Sequence, residues 1–202
     1  KKKKGARSLF FARLISDLYK TAGADRLMSV DLHTAQIQGF FDGPVDHLMA
    51  IPLLAEHVRS VVEDVKNVTV VSPDTGRVRV AEQWAELLGG APLAFVHKTR
   101  DINVPNKAVS KAVVGDIKGR TAVLIDDMID TGGTISGAVQ VLKDNGAKDV
   151  IIAATHPVFS DPAVERLSNS GAREVVVTNT LPVSEEKRFE NLTVLSIAPL
   201  IA

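Results

Sequence analysis

VLIDDMIDTGGT, residues 123 to 134, decides how the rest of the chain is read. With Thr121 and Ala122 ahead of it, the apolar run up to Ile125 reads as a buried strand. The strand delivers Asp126 and Asp127 at its polar tip. Asp130, Thr131, Gly132, Gly133 and Thr134 then make a tight turn that opens a helix over residues 134 to 144, stopping near Gly146. Glycines let backbone N–H groups approach an anion, and a helix N-terminus favours negative charge. The hydroxyls of Thr131 and Thr134 add donors. The stretch reads as a cradle for a sugar 5-phosphate. The two carboxylates beside it suit ribose hydroxyls, which need acceptors, or a bound Mg²⁺. A bare TGGT fits an ordinary strand–turn–helix with Thr134 as N-cap just as well. The apolar strand, the acidic pair, two spacers and DTGGT taken together favour the cradle.

Outward from this stretch the chain alternates strand and helix. VTVVSP, PLAFVH, DVIIAAT, EVVVTN and TVLSIA read as strands, and RLMSVDLH as a strand running into a polar tip. Helices are expected over SLFFARLISDLYKTAG, over Pro52 to about Asp64, over residues 77 to 88 and over PAVERLSN. In the first, Phe10, Phe11, Leu14, Ile15 and Leu18 share one face; in the third, Val78, Ala81, Trp84, Ala85 and Leu88 point inward. Such alternation implies crossover units and an α/β fold, with a mostly parallel sheet and helices on both faces. The near-continuous apolar strands agree, since both their faces must be covered.

Composition narrows the class. The chain has 202 residues, 45% of them apolar and 4% aromatic, which suits an Ala/Val/Ile/Leu core. The 24 basic and 24 acidic residues cancel, so charge gives no reason to expect nucleic acid or an anionic membrane as partner. The absence of cysteine excludes disulfides, zinc–thiolate sites and thiol catalysis. No apolar run approaches the roughly 20 residues that span a bilayer. No apolar run with a cleavage site follows the charged N-terminus, and a cytoplasmic protein is expected. KKKK at residues 1 to 4 reads as a solvated run, a nucleotide-phosphate patch or a segment foreign to the native chain.

Ligands of open α/β sheets bind outside the carboxyl ends of the strands. Four strands here end in polar groups: Asp31 and His33; Ser72 and Asp74; Asp126 and Asp127; Thr155 and His156. The segment from Lys98 to about Lys111 has no clear period, is rich in charge and is long for a loop, as functional lids often are.

The sequence resembles a family. VLIDDMIDTGGT is similar to the loop that binds phosphoribosyl pyrophosphate (PRPP) in type I phosphoribosyltransferases and PRPP synthetases. SVDLHTAQIQGFFDGPVDHL (29–48), VVSPDTGRVRVAEQWAELLGG (70–90) and the segments ATHPVFSDPAVERL and VTNTLP look like PRPP synthetases of an actinobacterial kind. The resemblance implies a phosphoribosyltransferase-like fold and transfer of pyrophosphate from MgATP to the 1-hydroxyl of ribose 5-phosphate, giving PRPP and AMP. It implies that Asp126 and Asp127 hold the ribose hydroxyls and that Asp130, Thr131, Gly132, Gly133 and Thr134 hold the 5-phosphate. His33 and Asp74 match the family's Mg²⁺–ATP ligands, and Asp31, Asp42 and Asp46 fall in the segment also assigned to metal. Lys98 and Arg100, in HKTRD, match the basic pair of the catalytic flexible loop, Arg100 also facing ribose 5-phosphate. Such a pair suits a reaction that needs charge neutralised on phosphate oxygens more than covalent chemistry. Mg²⁺ enters with ATP as co-substrate, and dimers assembled into hexamers are the family's form. A non-catalytic regulatory relative and a phosphoribosyltransferase are the alternatives; for the latter, no base-binding segment is found.

The family's chain is longer at both ends. Residues 1–46 are therefore expected to close an N-terminal domain, 47–192 to form the domain carrying the loop, and 193–202 to begin a C-terminal tail. Phe10 and Phe11 replace smaller residues, and Pro157 stands where glycine is usual, fixing φ and removing a donor beside the sugar site.

Overall fold

The computed structural model describes the backbone of residues 2–73, 77–99 and 110–202, and the side chains of residues 10–73, 77–97 and 112–202. Two compact units divide between Ala50 and Ile51.

The first unit contains helix α1 (Lys2–Thr21) and two short parallel strands, β1 (Leu27–Val30) and β2 (Val45–Leu48), joined through a 3₁₀ turn at Ala35–Phe40. The expected boundary at residue 46 falls inside β2. Its pairing with β1, from Leu27↔Val45 to Val30↔Leu48, keeps the chain in the first unit up to Ala50. The apolar stripe of α1 is exposed: Phe10 by 76%, Phe11 by 65% and Leu18 by 55%.

The second unit is a seven-stranded sheet in the order β5-β4-β3-β6-β7-β8-β9. The strands are β3 (Val68–Ser72), β4 (Leu93–Thr99), β5 (Ser110–Val114), β6 (Thr121–Ile129), β7 (Asp149–Pro157), β8 (Glu174–Thr178) and β9 (Leu192–Leu195). All neighbours pair in parallel except β4 and β5. The mixed α/β fold with a mostly parallel sheet is thus the one the alternation implies. Residues expected to begin a tail take part in this sheet, since β9 pairs with β8 from Val175↔Leu192 to Thr178↔Leu195.

Helices α2 (Ile51–Val61) and α3 (Val78–Leu87) pack on one face; α4 (Gly133–Asp144) and α5 (Ala163–Ser168) pack on the other. A short α6 (Ala198–Ile201) follows β9. Under α4 lie Leu124, Ile152 and Val177, meeting Ile135, Val139 and Leu142. Each such burial contributes about 2 kcal/mol. Trp84 is buried in α3 as its spacing requires, but Val78, expected inward, is 37% exposed because it opens the helix.

The aperiodic stretch beginning at Lys98 is flanked by strand on both sides. β4 runs on through Thr99, and β5 returns antiparallel, with Lys98 opposite Lys111 and Thr99 opposite Ser110. Edge pairing of backbone groups needs no apolar alternation, which is why pattern alone did not announce β5.

The chain order fixes where a ligand fits. From β3 it moves outward to β4 and β5, then returns to β6 beside β3 and moves the other way to β9. The order therefore reverses between β3 and β6, and the crevice of such a sheet opens beyond the carboxyl ends of those two strands.

Candidate sugar-phosphate site

Beyond β6 and β3 the second unit gathers a compact charged group. Asp126 and Asp127 are the sixth and seventh residues of β6. Asp127 is 8% exposed, and its N–H donates to Asp126 Oδ1 at 2.9 Å. Arg77, just before α3, reaches both carboxylates. Its Nη2 lies 2.6 Å from Asp127 Oδ1 and its Nε 3.3 Å from Asp126 Oδ1. The three side chains are 18%, 17% and 7% exposed for Arg77, Asp126 and Asp127. Successive residues of a strand point to opposite faces. One guanidinium meets both here because its planar fork presents several donors in fixed directions.

Burial pushes the Asp126 carboxyl up to about 7, and the neighbouring Asp127 pushes the same way, against the opposing charge of Arg77. Desolvation penalises the ionised form more than one shared cation relieves it. The pair is a strong acceptor group whose last charge is held only weakly near neutrality.

The turn after β6 is built as its glycines suggest. Gly132 caps α4 in the left-handed region, φ 71°, so the helix begins one residue earlier than expected and Thr134 lies inside it. The first i−4 bond of the helix is Ser136 N–H to Gly132 O, 2.9 Å. Among the described residues no acceptor meets the N–H groups of Thr131, Gly132, Gly133 and Thr134. Asp130, Thr131, Gly133 and Thr134 are exposed. Gly132 is buried. Unpaired donors at a helix start are what an anion requires.

Neighbouring segments brace this turn. Phe159, at φ 46° and 1% exposed, donates its N–H to Ile129 O at 3.0 Å, and its own carbonyl accepts from Lys187 Nζ at 3.0 Å. Arg166 Nη1 donates to Thr131 O at 3.0 Å. Pro157 ends β7 opposite Ile129 and is buried. β8 pairs with β7 only from Ile151 to Ala153, so at Pro157 the strand has β6 alone as its neighbour. Beside it, His156 Nδ1 lies 2.9 Å from Thr180 Oγ1, and Thr178 and Thr180 both donate to Thr155 O.

The remaining predicted residues divide between the first unit and the segments not described. Asp31, buried at φ 42°, accepts from Ala50 N–H at 3.1 Å and ties the end of β1 to the end of β2. His33 and Asp42 are exposed. Asp46 is paired with Arg26 through contacts of 2.5 and 2.9 Å, which hold its carboxyl below the ordinary range. Among the described residues no three of His, Asp or Glu converge on a metal position. Asp74 and Arg100 lie outside the described residues, as does the side chain of Lys98, whose backbone belongs to β4.

Two residues in this unit escaped the sequence reading. Arg77 and Arg166 belong to no distinctive motif. The one available signal was position: Arg77 follows a strand end by a few residues, and Arg166 lies in the helix after β7. In the first unit, His47 Nε2 accepts from Leu32 N–H at 2.9 Å, holding the turn that carries His33.

Known proteins resemble the chain throughout. The family model described as "Phosphoribosyl synthetase-associated domain" matches residues 94–202. The ribose-phosphate pyrophosphokinase of Mycobacterium tuberculosis is 67% identical over 201 residues, covering 100% of this chain and 61% of that protein. That of Bifidobacterium longum is 64% identical over 202 residues, covering 100% of this chain and 59% of its own length. A crystal structure of phosphoribosylpyrophosphate synthetase from Mycobacterium smegmatis superposes with a TM-score of 0.87 at 65% identity, over 94% of this chain and 60% of that one. The chain thus spans about three fifths of the length of these relatives.

Proposed function

We propose, on the premise that the chain belongs to the phosphoribosyl synthetase-associated domain family, that the protein carrying it is a ribose-phosphate pyrophosphokinase. The observation that carries this reading is the pairing of an anion-ready turn with an acidic pair at the switch point of the sheet. The N–H groups of Thr131 to Thr134, aided by the threonine hydroxyls, take the 5-phosphate of ribose 5-phosphate. Asp126 and Asp127 accept from the ribose hydroxyls. They are mostly buried and already oriented by Arg77, so few degrees of freedom are lost on binding.

With the sugar held, its 1-hydroxyl oxygen attacks the β-phosphorus of ATP. The bond from that phosphorus to the α,β-bridging oxygen breaks, pyrophosphate passes to the sugar, AMP leaves and the hydroxyl proton is released. Lys98 and Arg100 neutralise the phosphate oxygens during the transfer. Mg²⁺ belongs to this reading as part of the nucleotide substrate, with His33 and Asp74 as its contacts and Asp31, Asp42 and Asp46 nearby in sequence. Asp46 is already paired with Arg26, and Asp31 accepts from Ala50 N–H through Oδ2. Cytoplasmic location and assembly into dimers and hexamers complete the proposal; no described helix is long and apolar enough to cross a membrane.

Incubation of the whole protein with MgATP and ribose 5-phosphate should yield AMP and PRPP in equal amounts. No AMP from correctly assembled protein would overturn the reading, and consumption of PRPP with a free base would replace it by phosphoribosyl transfer.

A further inference from the structure

We propose that Arg166 is a positioning residue of the sugar-phosphate site, which holds the Thr131 carbonyl and thereby aims the Gly132 N–H at the bound phosphate. The inference rests on the reading of residues 130–134 as the phosphate cradle. Arg166 stands on α5, and its Nη1 donates to Thr131 O at 3.0 Å. The peptide between Thr131 and Gly132 is trans, the Asp161–Pro162 bond being the cis bond among the described residues. In a planar trans peptide the C=O and N–H vectors point in opposite directions. Fixing the carbonyl toward α5 therefore turns the Gly132 N–H, on a residue that is itself buried, away from α5.

The helix itself leaves this carbonyl to Arg166. α4 closes its first bond from Ser136 to Gly132, and no described N–H of the turn or helix donates to Thr131 O. The glycines make the contact possible. A Cβ on Gly133 would lie 3.1 Å from Arg166 Nη1, and one on Gly132 would lie 3.4 Å from the Ala163 backbone. The turn packs directly on α5: a side chain at Gly133 would crowd the Arg166 guanidinium, and one at Gly132 would be strained by its φ of 71°.

Charge points the same way. Asp126, Asp127 and Asp130 surround the turn with carboxylates, which repel a phosphate dianion. Arg77 is taken up by the first two. Arg166 makes no ion pair among the described residues, so its cation adds a favourable charge beside the turn for the incoming anion.

The test uses steady-state kinetics of the whole protein with Arg166→Ala, Arg166→Lys and wild type. Loss of a charge-assisted contact to the turn should raise KM for ribose 5-phosphate about tenfold in Arg166→Ala. The value of kcat and the KM for ATP should stay within about twofold, and Arg166→Lys, which keeps one donor and the charge, should recover most of the loss. Thermal unfolding of each variant reports whether the fold is intact. Gly133→Ala, which displaces the guanidinium without removing it, should raise the same KM. An unchanged ribose 5-phosphate KM in Arg166→Ala, or an equal rise in both KM values, would overturn the proposal. Failure of the wild type to use ribose 5-phosphate would instead overturn the functional reading on which it rests.

Discussion

Arg77 Nη2 stands 2.6 Å from Asp127 Oδ1 although 50 positions separate the two residues in the chain, and the same guanidinium reaches Asp126. The contact exists because β3 and β6 are neighbours at the reversal point of the sheet. Its consequence is that two adjacent, mostly buried carboxylates share one cation.

Arg77→Ala removes that cation and leaves the carboxylates facing each other. The expected cost is about 3 kcal/mol of stability at pH 8, the usual range for breaking a buried pair. Denaturant unfolding should show a smaller deficit at pH 6, because a proton on Asp126 then relieves the repulsion. Equal deficits at both pH values would count against the shared-cation account.

Asp126 titrates near 7 in the folded protein, whereas an unfolded aspartate titrates near 4. The folded state therefore binds the extra proton between about pH 4 and 7. This group adds stability as pH falls through that window and removes it as pH rises, by up to about 1.4 kcal/mol per pH unit. Asp126→Asn should flatten that slope in unfolding experiments. Affinity for ribose 5-phosphate should move oppositely, falling below pH 7 as the acceptor is protonated. A KM for ribose 5-phosphate that is flat from pH 6 to 8 would contradict the role given to Asp126.

Lys98→Ala tests the division of labour. If Lys98 neutralises charge only as pyrophosphate transfers, kcat should fall about 10²–10³-fold while ribose 5-phosphate binding, read by calorimetry, is retained. Parallel losses of both would mean that the residue organises the sugar site instead.

Gly132→Ala imposes a side chain on φ 71°, with the new Cβ in ordinary contact with Ala163. A cost of about 1–2 kcal/mol in stability is expected, together with a raised ribose 5-phosphate KM. Near-normal melting and KM would show that the turn relaxes to another cap.

Local pattern was enough for much of this. The apolar run of β6, the glycines at 132 and 133 and the helix after them are specified by neighbours in sequence, through strand burial and backbone freedom. The strand–turn–helix proposed as the phosphate cradle was accordingly legible from residues 123–134 alone. α1 was equally legible from its 3.6-residue stripe, although the sequence did not show that the stripe lies exposed in its own unit. The edge strand β5 was not legible, since its pairing to β4 uses backbone groups and leaves little apolar signature.

What the sequence by itself determined, then, is most of the elements and the glycine turn after β6 that is proposed here to hold the phosphate. Both follow from interactions within a few residues. The tertiary structure decided which distant charges meet β6 and that turn. Arg77 and Arg166 are common surface residue types with no distinctive spacing. They acquired partners only because strand order placed β3 beside β6 and the helix after β7 against the start of α4. Charge pairing depends on distance in space, and only the packed sheet sets that distance.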